Sequence, residues 1–160
     1  NSTIVSIEFN HLNSNISKFA GGLMVDEMML YINGLPSFIA YFTIGGILMT
    51  LYVFIYNKLT TLDEWELIKQ NDSAAAIAFS GSLVGFVIPM ASAIQNAQSN
   101  FGCVFWGTVA LVVQLVAFFT VRLLVPAITE RIRRGEVAAG ILLAVISLNV
   151  GILNAASMFY

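Results

Sequence analysis

Charge is what this chain has least of. Only 10% of its residues are Asp, Glu, Lys or Arg, against roughly 25% in ordinary soluble domains. A small water-soluble fold needs a charged surface, because much of its surface stays in contact with water. That scarcity, beside 58% hydrophobic residues, excludes a soluble globular domain. The single cysteine, Cys103, excludes an intramolecular disulfide and a cysteine-built metal cluster; it opens an apolar run and reads as an inert thiol. The single histidine, His11, has no second ligand at a metal-binding spacing. Phosphate loops and nucleophile elbows are missing, so no catalytic, cofactor or metal site is expected. A net charge of −2 lacks the basic stripe of a nucleic-acid binder.

What is present is apolar sequence in blocks of bilayer length. Four runs, Leu35 to Tyr56, Ser73 to Gln95, Phe101 to Val125 and Val137 to Phe159, each reach the ~20 residues that cross a hydrocarbon core of about 30 Å. A backbone in lipid must satisfy its own hydrogen bonds, and runs without period-2 alternation do so as helices. The expected fold is an all-α membrane protein, with residues 35–160 forming a four-helix transmembrane domain in the lipid bilayer. The three connections are short, so consecutive helices run antiparallel. Six of the seven Lys and Arg residues flank the first and third loops. The positive-inside rule assigns those loops to the cytoplasm and turns both termini outward.

Residues 1–34 read differently. Val5, Phe9, Leu12, Ile16, Phe19 and Leu23 recur at spacings of three and four among polar residues, the stripe of an amphipathic helix. Such an arm lies on the outer membrane surface, packs against a neighbouring subunit, or caps its own bundle. Gly21-Gly22 is expected to break it, and Asn33-Gly34 with Pro36 to turn the chain into the first span. Asn1-Ser2-Thr3 and Asn15-Ile16-Ser17 fit the glycosylation acceptor pattern. The first residue is Asn1, not Met, which leaves room for a preceding start or leader segment.

A self-similarity at an offset of 64 residues runs through the remainder. Glu66 to Ile77 matches Glu130 to Ile141 in the form E-x-I-[KR]-x-[NG]-[DE]-x-A-A-[AG]-I, and the register holds at Lys58-Leu59 with Arg122-Leu123. Repeat 1 covers about 35–95 and repeat 2 about 101–159. Each unit has two spans, so the two hairpins enter the membrane in the same sense and are expected to be parallel repeats about a pseudo-two-fold along the membrane normal, unlike inverted transporter repeats. Asp72 and Glu136 stand where a helix begins and are expected to cap it. Glu66 with Lys69, and Glu130 with Arg133, are spaced to pair on a short helix. These repeated loop charges serve capping and anchoring, or form a docking surface for a cytoplasmic peripheral membrane partner.

No ionisable residue lies at the centre of a span, which counts against proton relays and ion-coupled transport. The polar residues that remain there, Gln114, Asn149 and Asn154 foremost, are expected to face other helices. They glue helices together, or line a polar path in an oligomeric channel. Gly81-x-x-x-Gly85, Gly140 with Ala144 and Gly151 with Ala155 are small-residue pairs that permit close helix packing. Pro89 is expected to bend the second span.

Lys58-Leu59-Thr60, Asp63-Glu64, Leu67-Ile68-Lys69-Gln70-Asn71, Ala74-Ala75-Ala76-Ile77-Ala78-Phe79-Ser80-Gly81 and Asn154-Ala155-Ala156 together resemble the YjfL-like bacterial inner-membrane proteins, the family of domain of unknown function 350. The resemblance covers roughly residues 38–158. It implies a bacterial inner-membrane location, and a setting beside phage-shock-type peripheral proteins and ATP-grasp ligases that points to envelope stress or membrane maintenance. It carries over no site residues. The function expected from residues and resemblance together is a non-enzymatic, self-associating multi-pass subunit serving as scaffold or anchor; the alternative is an oligomeric ion or small-solute channel lined by Gln114, Asn149 and Asn154.

Overall fold

A computed structural model describes the backbone of residues 2–60 and 63–158, and the side chains of residues 22, 24–60 and 63–158. Among the described residues six helices follow in order: α1 Ser2–Thr60, α2 Glu64–Lys69, α3 Ser73–Asn96, α4 Asn100–Leu124, α5 Ile128–Arg133 and α6 Val137–Ala156. There is no strand among the described residues. Four segments are long and apolar enough to cross a bilayer, namely Met24–Thr60, Ser73–Asn96, Asn100–Leu124 and Val137–Ala156. The chain is therefore a multi-pass helical membrane protein.

The first span differs from its expected limits. Neither Gly21-Gly22 nor Asn33-Gly34 interrupts α1, which also holds Pro36 within it. A glycine in a helix costs about 1 kcal/mol and a proline removes one hydrogen bond. Opening the helix among apolar residues would expose several unpaired backbone groups instead, each at a cost of several kcal/mol in lipid. The amphipathic stripe from Val5 to Leu23, His11 and the two acceptor asparagines lie outside the described side chains. By internal contacts the chain divides into residues 1–40 and residues 41–160. The first unit is helical from Ser2 onward, and from Met28 to Ile39 its sequence carries no charged residue.

In the second unit the helix boundaries themselves recur 64 residues apart. α1 ends at residue 60 and α4 at 124; α2 and α5 start at 64 and 128; α3 and α6 start at 73 and 137. The corners before α3 and α6 share a left-handed residue at the same place, Asn71 at φ 68° and Gly135 at φ 76°. The backbone closes both corners alike: the Asp72 N–H donates to the Leu67 carbonyl, and the Glu136 N–H to the Arg131 carbonyl, at 3.0 Å each. Positions 64 residues apart are called counterparts below.

Packing centres on α3 and α6. Ala74 meets Gly140 near the start of both helices, and the Ser92 hydroxyl donates to the Ala155 carbonyl (3.1 Å) near their ends. The two helices are thus parallel. Residues 41–60 of α1 run antiparallel to α3, with Tyr52 stacked on Phe86 at 4.8 Å between centroids and Tyr56 tilted against Phe79 at 5.9 Å. The same stretch runs parallel to α4, where Tyr56 meets Phe118 edge-on at 5.4 Å.

The expected two-fold does not hold. Under a two-fold every contact is reciprocal, so Gly85 against Ser147 would require Asn149 against Leu83. Asn149 is exposed instead, as are Val145 and Ser80, the counterparts of Gly81 and Ala144. α3 uses the face bearing Ala74, Gly81 and Gly85; α6 uses the face bearing Gly140, Ala144, Ser147 and Gly151. Transferred to one helix, at about 100° per residue, these faces lie roughly 140° apart. The hairpins pack head to tail. The physical reason is volume: Val145 and Asn149 stand where α3 has glycines, so the reciprocal faces cannot approach as closely as the glycine seam, and within the chain the glycine seam forms instead.

Candidate functional site

The seam between α3 and α6 collects Gly81, Gly85, Gly140 and Gly151. A methyl group added at Gly81 would run into Ala144, at Gly140 into the Ala74 backbone, and at Gly151 into the Gly85 backbone. At Gly85 it would lie 2.5 Å from the Ser147 carbonyl oxygen and 2.6 Å from Gln114 Nε2. Without a hydrophobic drive between helices in lipid, this close van der Waals contact supplies much of the association.

Beside the seam lies a polar core. The hydroxyls of Tyr52 and Ser82 are hydrogen-bonded to each other. Gln114, 1% exposed, donates from Nε2 to the Ser147 carbonyl at 3.3 Å, while its Oε1 has no partner among the described residues. Each bond joins two different helices, α1 to α3 and α4 to α6. Of the three residues expected to share a path, only Gln114 is in this core. Asn149 is exposed on the outer face of α6, and Asn154 is half-buried with its Nδ2 unpaired among the described residues. Gln114 is enclosed within the chain, and the three residues do not converge within it.

The loop charges are paired locally. Lys69 lies 3.8 Å from Glu66, and Arg133 lies 3.7 Å from Glu130. Asp72 accepts from the Ala75 N–H at 2.8 Å and so caps α3. Glu136 departs from the expected role: its longer side chain bonds Arg131 Nε at 2.7 Å, and it makes no side-chain cap on α6. Exposed pairs of this kind contribute about 0–1 kcal/mol each.

The residue that sequence reasoning passed over is Glu64. It is 2% exposed, and neither carboxyl oxygen finds a well-aligned donor among the described residues. Burial pushes its carboxyl above the usual carboxylate range; the Thr60 hydroxyl and its own amide act against the rise, and neighbouring Asp63 adds to it. Its counterpart Ile128 is buried to the same degree, so the carboxyl occupies a slot built for an aliphatic side chain. That comparison was available in the sequence.

The sign of the pH effect follows. Below the ordinary carboxylate value of about 4.3 both folded and unfolded chains hold the proton. As pH rises through it the unfolded chain releases the proton while the fold retains it, and stability falls until pH passes the raised folded value. Glu64→Gln is expected to match the parent at low pH and to exceed it near neutrality, because the amide carries no charge that burial could penalise. Unfolding in detergent across pH reads this; equal stability at every pH would contradict it.

Residues 29–158 match the family profile described as Domain of Unknown Function (DUF350). The chain belongs to this family. The match begins upstream of the Leu35 boundary drawn from hydropathy. The chain is 46% identical over 130 residues to the UPF0719 inner membrane protein YjfL of Escherichia coli strain K12, covering 81% of this chain and 98% of that protein. It is 25% identical over 128 residues to the UPF0719 transmembrane protein YshE of Bacillus subtilis strain 168, covering 79% and 96%. No solved structure matches it. Within DUF350, then, this chain presents a tight seam of small residues flanked by a polar core, and a carboxyl buried at the start of α2, just past the first span.

Proposed function

We propose that this chain is a non-enzymatic, self-associating subunit of a bacterial inner membrane that serves as scaffold or anchor in envelope maintenance. The observation that carries the reading is the use of its interior: small residues close the α3–α6 seam, and the inward polar groups Tyr52, Ser82, Gln114 and Ser147 bond helix to helix. Groups arranged to hold helices together favour a structural role over a chemical one. The names of the relatives support the location.

The cationic corners at Lys69 and at Arg131, Arg133 and Arg134 support an orientation with those loops in the cytoplasm and both termini outside. There the exposed Glu66, Lys69 and Arg133, with the half-buried Glu130, present a mixed-charge surface suited to a peripheral membrane partner. The duplicated hairpin supports self-association, because a unit that packs on its own copy within one chain carries surfaces that suit another.

Native mass spectrometry of the chain released from lipid nanodiscs tests self-association. Masses at multiples of the chain are expected. A strict monomer at every protein-to-lipid ratio would remove the reading.

A further inference from the structure

The head-to-tail contact between the hairpins uses one face of each and leaves one face of each unused. In the second hairpin Ala110, Gln114 and Phe118 of α4 are at most 2% exposed, and Ala144, Ser147 and Gly151 of α6 are buried with them. Their counterparts in the first hairpin are open, apart from the half-buried Leu83 opposite Ser147 in the repeat. Gly46, Thr50 and Phe54 of α1 are exposed, as are Ser80 and Val87 of α3. An added Cβ at Gly46 meets nothing within 4 Å, and a shallow groove of about 660 Å³ runs along this side of α1 past Gly46 and Thr50.

The converse holds for the other face. Leu48, Tyr52 and Tyr56 are 7%, 0% and 1% exposed, and Gly81 and Gly85 are buried. Their counterparts Val112, Val116 and Thr120 on α4, and Val145 and Asn149 on α6, are all exposed. The chain therefore carries a socket like the one that α3 already fills, and a ridge like the one that already fills it.

Volumes and polarity fit that use. At the two ends of the contact the counterparts are small: Ala138 would meet Ala76, and Ala156 would meet Ala91. In the middle, Gly85 lies against the amide of Gln114; the counterparts are Asn149 and Thr50, so the amide has changed sides and the small partner with it. Asn149 facing hydrocarbon has no water to bond, and Thr50 across such a contact offers its oxygen. Leu83, Val87 and Val145 hold the middle of this contact wider than the glycine seam.

We propose that copies of this chain join head to tail in the plane of the membrane, the open α4–α6 face of one copy seating on the open α1–α3 face of the next. The proposal rests on the self-association put forward above and gives it a geometry. A contact between unlike faces builds a ring if its rotation closes and an open row if it does not; it does not build a two-fold dimer.

The test uses full chains with Cys103→Ser, carrying two different tags and co-expressed in one membrane. One population carries Ala91→Cys and the other Ala156→Cys, and a short bis-thiol reagent links them. All four positions used here are exposed, so folding is preserved. Product joining the two tags is expected when both variants are present, and none when either is expressed alone. Thr50→Cys with Asn149→Cys is expected to behave the same way. If each single variant links to its own kind, or if no pair links while native masses still show oligomers, the head-to-tail geometry is overturned and self-association stands. If the native masses show only monomer as well, both fall.

Discussion

Gly151→Leu is expected to cost about 3 kcal/mol or more and to separate α3 from α6. The position has no space on its inner side: an added Cβ would press on the oxygen, carbonyl carbon and Cα of Gly85. A backbone cannot turn aside as a flexible side chain can, so the whole of α3 must move. Overpacked cores typically lose about 1–3 kcal/mol and occasionally more, and a clash with main chain belongs at the upper end. The control lies in the chain itself. Val87 is the counterpart of Gly151 and is exposed, so Val87→Leu should stay within about 0.5 kcal/mol of the parent. Steric trapping or thermal unfolding in detergent reads both. Equal effects of the two substitutions would show that the seam is not where the helices meet.

The second large effect is expected at Tyr52. Its ring is fully buried, stacked on Phe86 at 4.8 Å and tilted against Tyr56 at 5.9 Å, and its hydroxyl bonds Ser82. Tyr52→Ala removes the ring contacts and leaves a cavity between α1, α3 and α4, a change that costs about 3–5 kcal/mol for a large aromatic. Tyr52→Phe keeps the ring and removes the hydroxyl that interacts with Ser82 and Gln114, so a loss of about 0.6–1.7 kcal/mol is expected, the range for hydrogen bonds between membrane helices. The counterpart Val116 is exposed, and Val116→Ala should change little. Unfolding of the three variants under one condition separates these values. A Tyr52→Ala protein as stable as Tyr52→Phe would mean that the ring packs on nothing.

Much of this fold was legible in the residues, because bilayer length and backbone satisfaction leave few choices. The limits of the last three spans came directly from hydropathy. The corners were legible as well: a residue tolerant of positive φ, Asn71 or Gly135, followed by an acid at the head of a helix. Two things were misread for physical reasons. Gly21-Gly22 and Pro36 are breakers in water, where freed backbone groups find solvent, but α1 carries through them. The two-fold was inferred from the parallel sense of the repeat, which fixes direction and says nothing of which faces meet. The faces were written in the glycines: Gly81 and Gly85 have Val145 and Asn149 as counterparts, and Gly140 and Gly151 have Ala76 and Val87. Glycines out of register with the repeat cannot make a reciprocal seam. The burial of Glu64 was hidden because a loop acid beside Asp63 reads as solvated, and only Ile128 at the counterpart position reveals the slot.

Head-to-tail packing of the two hairpins is the claim on which the rest depends, and paired cysteines within a single chain test it most directly. In a Cys103→Ser background at high dilution in nanodiscs, Ser92→Cys with Ala155→Cys is expected to close within the chain, because the Ser92 hydroxyl already reaches the Ala155 carbonyl at 3.1 Å. The reciprocal pair, Ala91→Cys with Ala156→Cys, is expected not to close within the chain. Intrachain closure of the reciprocal pair would restore the two-fold and contradict this account.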